Sequence, residues 1–207
     1  MCIRDSFYTG NCHKWMLAPT GTGFLVIGPG NEDRLQPMQV SWGYRPDQYP
    51  LADQEPLRRD PDRPDPFGST RRTRFLEFEG TRDICPWLTV PESIEFQADI
   101  GVDRIRQRIE VLVQYTQKKI GGLGLKLATP STPGMHGSLT AFELPFTGPE
   151  KAVALRKEIW KHRIEVPIIE RPDRLLIRVS THFYNTREEI DRLAEVLPGA
   201  MRAVANA

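Results

Sequence analysis

Arg174-Leu175-Leu176-Ile177-Arg178-Val179-Ser180, followed closely by Tyr184-Asn185-Thr186-Arg187-Glu188-Glu189-Ile190, is the stretch from which the fold is best read. The first part is a β-prone apolar run, and the second starts a helix. Thr186 and Glu189 stand in the spacing of a capping box, and Ile190, Leu193, Val196 and Leu197 supply an apolar stripe behind it. The arginine inside the strand is conspicuous. A guanidinium cannot stay buried without a partner, so Arg178 needs an acidic group, a carbonyl cluster or the carboxylate of a ligand, for which its planar fork is well shaped. The alternative is an edge strand whose Arg178 points to solvent.

Working outward, Leu139–Leu144 and Ile164–Ile169 read as further strands and Glu150–His162 as a helix between them. Residues 122–207 thus form a small α+β domain, with sequential antiparallel strands and helices on one face as the economical arrangement. Before it, Val102, Ile105, Ile109, Leu112, Val113 and Ile120 recur at helical spacing among charged residues and predict one long amphipathic helix. Gly121-Gly122 and Gly124 end it, either as a plain cap or as a hinge at a domain boundary.

Near the amino terminus, Asn11-Cys12-His13-Lys14-Trp15 is dense in reactive side chains and leads into Pro19-Thr20-Gly21-Thr22-Gly23. Phe24-Leu25-Val26-Ile27 then reads as a short buried strand. Glycines that feed a strand reverse the order that a phosphate-cradling nucleotide loop requires, which argues against a Rossmann or Walker site. Lys14 is either a surface charge or a lysine whose partly desolvated amine attacks an aldehyde. Residues 44–68, rich in proline and charge, predict an irregular surface excursion.

The composition limits the partners. With 28 Lys+Arg against 27 Asp+Glu among 207 residues, the formal charge of +1 gives no electrostatic case for nucleic acid or a membrane surface. Arg71, Arg72 and Arg74 beside Glu77 and Glu79 read as a solvated face, and no apolar run approaches the roughly 20 residues of a membrane helix. Cys2, Cys12 and Cys85 fit neither a disulfide framework nor a zinc site, so a reducing, cytoplasmic setting is the default expectation. Met1-Cys2-Ile3-Arg4-Asp5-Ser6 matches nothing that follows and reads as a scar of cloning or sequence assembly over residues 1–6.

Four groups of residues, taken in order, resemble the class V aminotransferase family of pyridoxal-phosphate enzymes, and within it the isopenicillin N epimerase-like branch. They are Asn11-Cys12-His13-Lys14-Trp15 with Ala18-Pro19-Thr20-Gly21-Thr22-Gly23; Ser41-Trp42-Gly43; Phe78-Glu79-Gly80-Thr81-Arg82-Asp83; and Ile177-Arg178-Val179-Ser180 with Tyr184-Asn185-Thr186. The resemblance covers nearly the whole chain from about Phe7. It implies an α/β fold with an α+β small domain: the carboxy-terminal part of a fold type I pyridoxal-phosphate transferase. Residues 7–121 would end the cofactor-binding large domain, including a long interdomain helix, and residues 122–207 would be the small domain.

By the same resemblance Lys14 forms the Schiff base with pyridoxal 5'-phosphate and shuttles the α-proton of an amino-acid substrate, with the cofactor ring as electron sink. His13 and Asn11 lie near the cofactor phosphate, and Thr81 with the Gly80 amide reaches the phosphate of the partner subunit in a homodimer. Arg178 grips the substrate α-carboxylate. The aspartate and ring-stacking side chain that the family places well before the lysine have no counterpart, so a carboxy-terminal fragment with little activity of its own is expected. Epimerisation, transamination and C–S lysis all suit a proton-transferring lysine. Gly121 to Ile177 contains no cysteine, which disfavours the alternative of a cysteine desulfurase-like enzyme. A further alternative is a non-catalytic α+β module that binds a small anion or a protein.

Overall fold

The computed structural model describes residues 6–31, 34–39, 41, 64, 68–132 and 134–206. Met1–Asp5, Trp42 and the 44–68 excursion apart from Pro64 and Gly68 lie outside the described residues. The chain divides into two compact units, Met1–Glu95 and Phe96–Ala207.

In the first unit, β1 (Phe7–Asn11) pairs antiparallel with β2 (Gly23–Ile27), Phe7 facing Ile27 and Asn11 facing Gly23. Ser6 extends the ladder by accepting the Gly28 N–H at 2.7 Å. The Phe24 ring lies across Gly10 in β1: a Cβ there would stand 2.8 Å from the ring, so a larger residue would have to displace it. The Tyr8 ring packs on Phe24 at 5.5 Å between centroids. Sequence predicted β2 to be buried, but Leu25 and Val26 are 49% and 47% exposed. Among the described residues β2 has only β1 beside it, and a two-stranded ribbon covers neither of its own faces. Helices α1 (Arg71–Glu77), α2 (Cys85–Leu88) and α3 (Val90–Ile100) follow, and α3 crosses the division between the units.

The second unit opens on α4 (Val102–Gly121), separated from α3 by Gly101. Ile105, Leu112, Val113 and Ile120 are buried, as the apolar spacing predicts. Gly122 caps α4 with its N–H donated to the Lys118 carbonyl, and the chain enters β3 (Lys126–Leu127) a few residues later. Sequence places a domain boundary after residue 121, whereas the compact units divide after Glu95, because α4 packs on β4 and α6 of the second unit. The remaining elements are β4 (Leu139–Glu143), α5 (Pro149–Trp160), β5 (Ile168–Glu170), β6 (Leu175–Ser180) and α6 (Arg187–Ala205). The Thr186–Glu189 capping box is fully formed.

The sheet order is β3-β4-β6-β5, antiparallel throughout. This corrects the expected sequential pairing. The β4–α5–β5 connection crosses over and leaves a gap that β6 fills, so β4 and β5 never meet. The predicted strand over Ile164–Ile169 begins only at Ile168, because Pro167 has no N–H to give to a ladder. Helix-side residues Phe142, Leu175, Ile177 and Val179 join Leu155, Ile159, Leu193 and Leu197 in one core. The alternate residues of β6, Leu176 and Arg178, point to the other face.

Candidate active site

Lys14 rides on the loop between β1 and β2, and that loop is fixed at both ends. The Cys12 N–H donates to the Thr22 carbonyl at 3.0 Å, and the Cys12 carbonyl accepts the Ala18 N–H at 3.0 Å. Cys12 and Ala18 are buried with Val90 of α3, so packing reinforces the closure. Between these anchors the Leu17 N–H turns back to the Lys14 carbonyl at 3.2 Å, with Leu17 in the left-handed region at φ 60. A leucine there is strained, and its strain sits one turn from the lysine. The exposed Lys14 amine has no hydrogen bond or ion pair among the described residues.

His13 is half-buried, its Nδ1 3.0 Å from the Thr22 carbonyl. A carbonyl only accepts, so Nδ1 carries the proton and Nε2 of the neutral ring offers a lone pair. Asn11 closes β1 opposite Gly23, with its side chain exposed. These three residues are brought together by one loop.

Gly80 and Thr81 occupy the turn between α1 and α2. Gly80 has φ 109, a conformation that excludes most other residues, and a Cβ on it would lie 3.5 Å from Ser41 Oγ. Ser41 thus stands beside the turn although sequence gave it no role of its own. Arg82 and Glu79 flank the turn as an ion pair of 2.6 Å. Beyond it, Asp83 Oδ1 accepts the Cys85 N–H at 2.9 Å, a bond that holds the Asp83 carboxyl below its ordinary range. Asp83 in turn pushes the Cys85 thiol up, away from the thiolate form a sulfur nucleophile needs. Cys12, the other described cysteine, is buried.

Arg178 lies on β6 between β4 and β5, which removes the edge-strand alternative. Its N–H donates to the Pro167 carbonyl at 3.0 Å. On its side of the sheet it faces Ala141, and the carboxylate one pair further along, Glu143, is already held by Lys126 at 3.1 Å and Arg174 at 3.3 Å. Arg178 Nε is buried with no hydrogen-bond partner. Where the strand ends, Thr181 N–H and Oγ1 both donate to the Ser138 carbonyl, and Arg108 Nη2 of α4 donates to the Asn185 carbonyl at 3.0 Å. Asn185 Nδ2 and the Thr186 N–H both donate to Glu189 Oε2, and these bonds hold the Glu189 carboxyl below its ordinary value. The end of β6 is therefore anchored to α4, α6 and the turn before β4.

A family model for class-V aminotransferases matches residues 5–193. The chain belongs to the class-V aminotransferase family. Pyridoxal phosphate is the cofactor of this family. Isopenicillin N epimerase from Amycolatopsis lactamdurans is 49% identical over 193 residues, covering 92% of this chain and 46% of that protein. Isopenicillin N epimerase from Streptomyces clavuligerus is 46% identical over 197 residues, covering 94% and 47%. The chain spans about half the length of the curated relatives it matches. Apo cysteine desulfurase from Thermococcus onnurineus NA1 shares the fold at TM-score 0.68 and 21% identity, over 96% of this chain and 47% of that one. The architecture is accordingly that of fold type I pyridoxal-phosphate enzymes over about half their length. Among the described residues no helix is long and apolar enough to cross a membrane, and no cluster of potential metal ligands occurs.

The donors present suit such a cofactor. Among the described residues the Lys14 amine has no partner and suits an aldehyde, and the bare glycine turn beside two hydroxyls suits a phosphate. Lys14, His13 and Asn11 share one unit with Gly80 and Thr81, while Arg178 belongs to the other.

Proposed function

We propose that the chain carries the lysine, phosphate contacts and carboxylate-binding arginine of an isopenicillin N epimerase-like pyridoxal-phosphate enzyme that acts at the α-carbon of an amino acid as a homodimer. The observation that carries this reading is Lys14, an amine without an ion pair among the described residues, on a loop locked by both backbone bonds of Cys12. Close sequence likeness to two isopenicillin N epimerases supports the choice of branch.

In this reading Lys14 Nζ would hold the cofactor through its aldehyde, and the same amine, when free, would take and return the α-proton of the substrate. When bound, the cofactor supplies the electron sink that makes the α-proton removable. The closed loop keeps Nζ in one position, so little ordering remains when it meets the reacting carbon. Asn11 Nδ2 donates to a phosphate oxygen from the end of β1. His13 adds a donor only as the imidazolium, since Nδ1–H is committed to the Thr22 carbonyl. Gly80 N–H and Thr81 serve the phosphate bound by the partner subunit, which makes the dimer part of the site. Arg178 receives the α-carboxylate on its free guanidinium edge, and the anchored end of β6 fixes its direction.

Isopenicillin N is the first substrate to test. The stretch from Gly121 to Ile177 contains no cysteine, which favours epimerisation over desulfurase chemistry. The chain is incubated with pyridoxal phosphate, reduced with borohydride and digested. The expected outcome is a phosphopyridoxyl mass on the Lys14 peptide, and labelling spread evenly over surface lysines would defeat the assignment. For turnover, proton NMR in deuterium oxide separates α-proton exchange with inversion from keto-acid formation and from thiol release. In the full-length enzyme, inversion that disappears in Lys14→Ala is the expected result.

A further inference from the structure

We propose that Lys126 and Arg174 are positioning residues that hold Glu143 away from Arg178, so that the guanidinium stays open to the carboxylate of a ligand. The ligand rests on the reading of Arg178 given above, but the arrangement of these side chains does not. β4 and β6 pair Ala141 with Arg178 and Glu143 with Leu176, so all four share the sheet face turned away from the core. The Ala141 N–H donates to Thr129 Oγ1 and its carbonyl accepts the Ala128 N–H, both on the β3 side. Ala141 and Arg178 therefore form a closely spaced pair without ladder bonds between them. Glu143 stands on the diagonal from Arg178, a separation of about 7–8 Å that two long side chains can bridge. It is thus an acid of the protein itself within reach of Arg178, and a competitor for any carboxylate from outside.

Glu143 is drawn the other way by two cations. Lys126, opposite it on β3, donates to both Oε1 and Oε2 at 3.1 Å, and Arg174 Nη1 reaches Oε1 at 3.3 Å. Each of these ion pairs is weak alone, because Lys126 and Arg174 are exposed, so the number of partners decides. Turning to Arg178 would exchange two cations for one. The result is visible at Arg178, whose Nε is buried without a hydrogen-bond partner among the described residues although a carboxylate stands on its diagonal. A buried donor left unmade is costly, so it is a strong acceptor of whatever carboxylate becomes free. Without Lys126 and Arg174, Glu143 gains by turning to Arg178 and closes the site from within the chain.

The test compares the double variant Lys126→Gln/Arg174→Gln with a triple variant that adds Glu143→Gln. In the isotopically labelled 207-residue chain the Arg178 guanidinium N–H resonances are expected to move in the double variant, as they gain Glu143, and to return in the triple variant. Wild-type protection of β6 amides shows that the variants fold. In the full-length enzyme the double variant should raise KM for isopenicillin N about two- to fivefold, the strength of one surface ion pair, with kcat unchanged. The triple variant should restore KM, and Glu143→Gln alone should leave it as it is. A merely structural clamp gives no such restoration, since removing a third charge cannot rebuild lost contacts. Arg178 resonances that stay put in the double variant, or a KM that Glu143→Gln fails to restore, overturn the proposal. Arg178→Met separates the two readings. A Glu143-dependent shift at Arg178 with a KM indifferent to Arg178→Met keeps the clamp and removes Arg178 as the carboxylate residue. A KM raised by Arg178→Met, with neither KM nor Arg178 resonances moved by the double variant, removes the clamp and keeps that residue.

Discussion

Replacing Arg178 by methionine separates a residue kept for a ligand from one kept for the fold. Arg178 Nε is buried without a partner, and the nearby Glu143 on the same sheet face is occupied by Lys126 and Arg174. A buried donor left unmade costs about 1–3 kcal/mol, and replacing a buried charge by an apolar side chain of similar length is often neutral or stabilising. Methionine keeps an apolar stem opposite Ala141 and removes the orphan, so Arg178→Met should leave the second unit as stable as before or up to about 2 kcal/mol more stable. Hydrogen exchange reads this directly, because the Arg178 N–H bonded to the Pro167 carbonyl reports on the β6 ladder. Protection of β6 amides should hold or rise by up to roughly thirtyfold, and urea midpoints should move in the same sense. If Arg178 were a structural ion pair, removing one partner would lower stability by about 3–5 kcal/mol and β6 protection would collapse. A loss of that size would falsify the assignment of Arg178 to a ligand. In the working enzyme the same change should abolish carboxylate binding, which gives the signature of a functional residue: activity lost, stability kept.

Other expectations follow from single contacts. Phe142→Ala, at the centre of the second unit's core, should lower unfolding stability by about 3–5 kcal/mol in a urea titration. At Leu17 the usual order should invert: Leu17→Gly relieves a left-handed leucine and should be tolerated better than Leu17→Val, whose β-branched side chain suffers more at φ 60, and thermal midpoints that favour valine would count against a strained loop. Thr186→Ala removes the α6 cap and should lower stability by about 1 kcal/mol, read as weaker amide protection in the first turn of α6. Glu189, depressed from its ordinary value of 4.5, stabilises fully above that pH and loses its contribution as pH falls through the lower folded value. The stability gap between wild type and Glu189→Gln should therefore be widest at about pH 6 and shrink toward about pH 3, and a gap independent of pH would remove the carboxylate from the cap.

The residues of the candidate site could be named from the sequence because they travel in short runs. Asn11, His13 and Lys14 are near neighbours, so one hairpin loop carries all three, and Gly80 with Thr81 falls within a single turn. Arg178 announced itself as a charge in an apolar strand, though edge and interior positions were equally open until β6 was found between β4 and β5. Ser41 was quoted among the motif residues but not assigned, because its closeness to Gly80 is a contact across the chain that no local pattern records. The Nδ1 bond of His13 to the Thr22 carbonyl was likewise invisible.

By itself the sequence determined α4, α5 and α6, the capping box at Thr186, the arginine in its strand and the lysine before its glycine turn. Each depends on periodicity, capping chemistry or side-chain type within a few residues. Only tertiary structure decided that β6 lies between β4 and β5, that β2 keeps exposed faces beside β1, that α4 belongs with the second unit and that Arg178 keeps a buried N–H without a partner. Those outcomes depend on which distant segments meet, and long-range pairing is set by burying apolar faces together rather than by anything written in one segment alone.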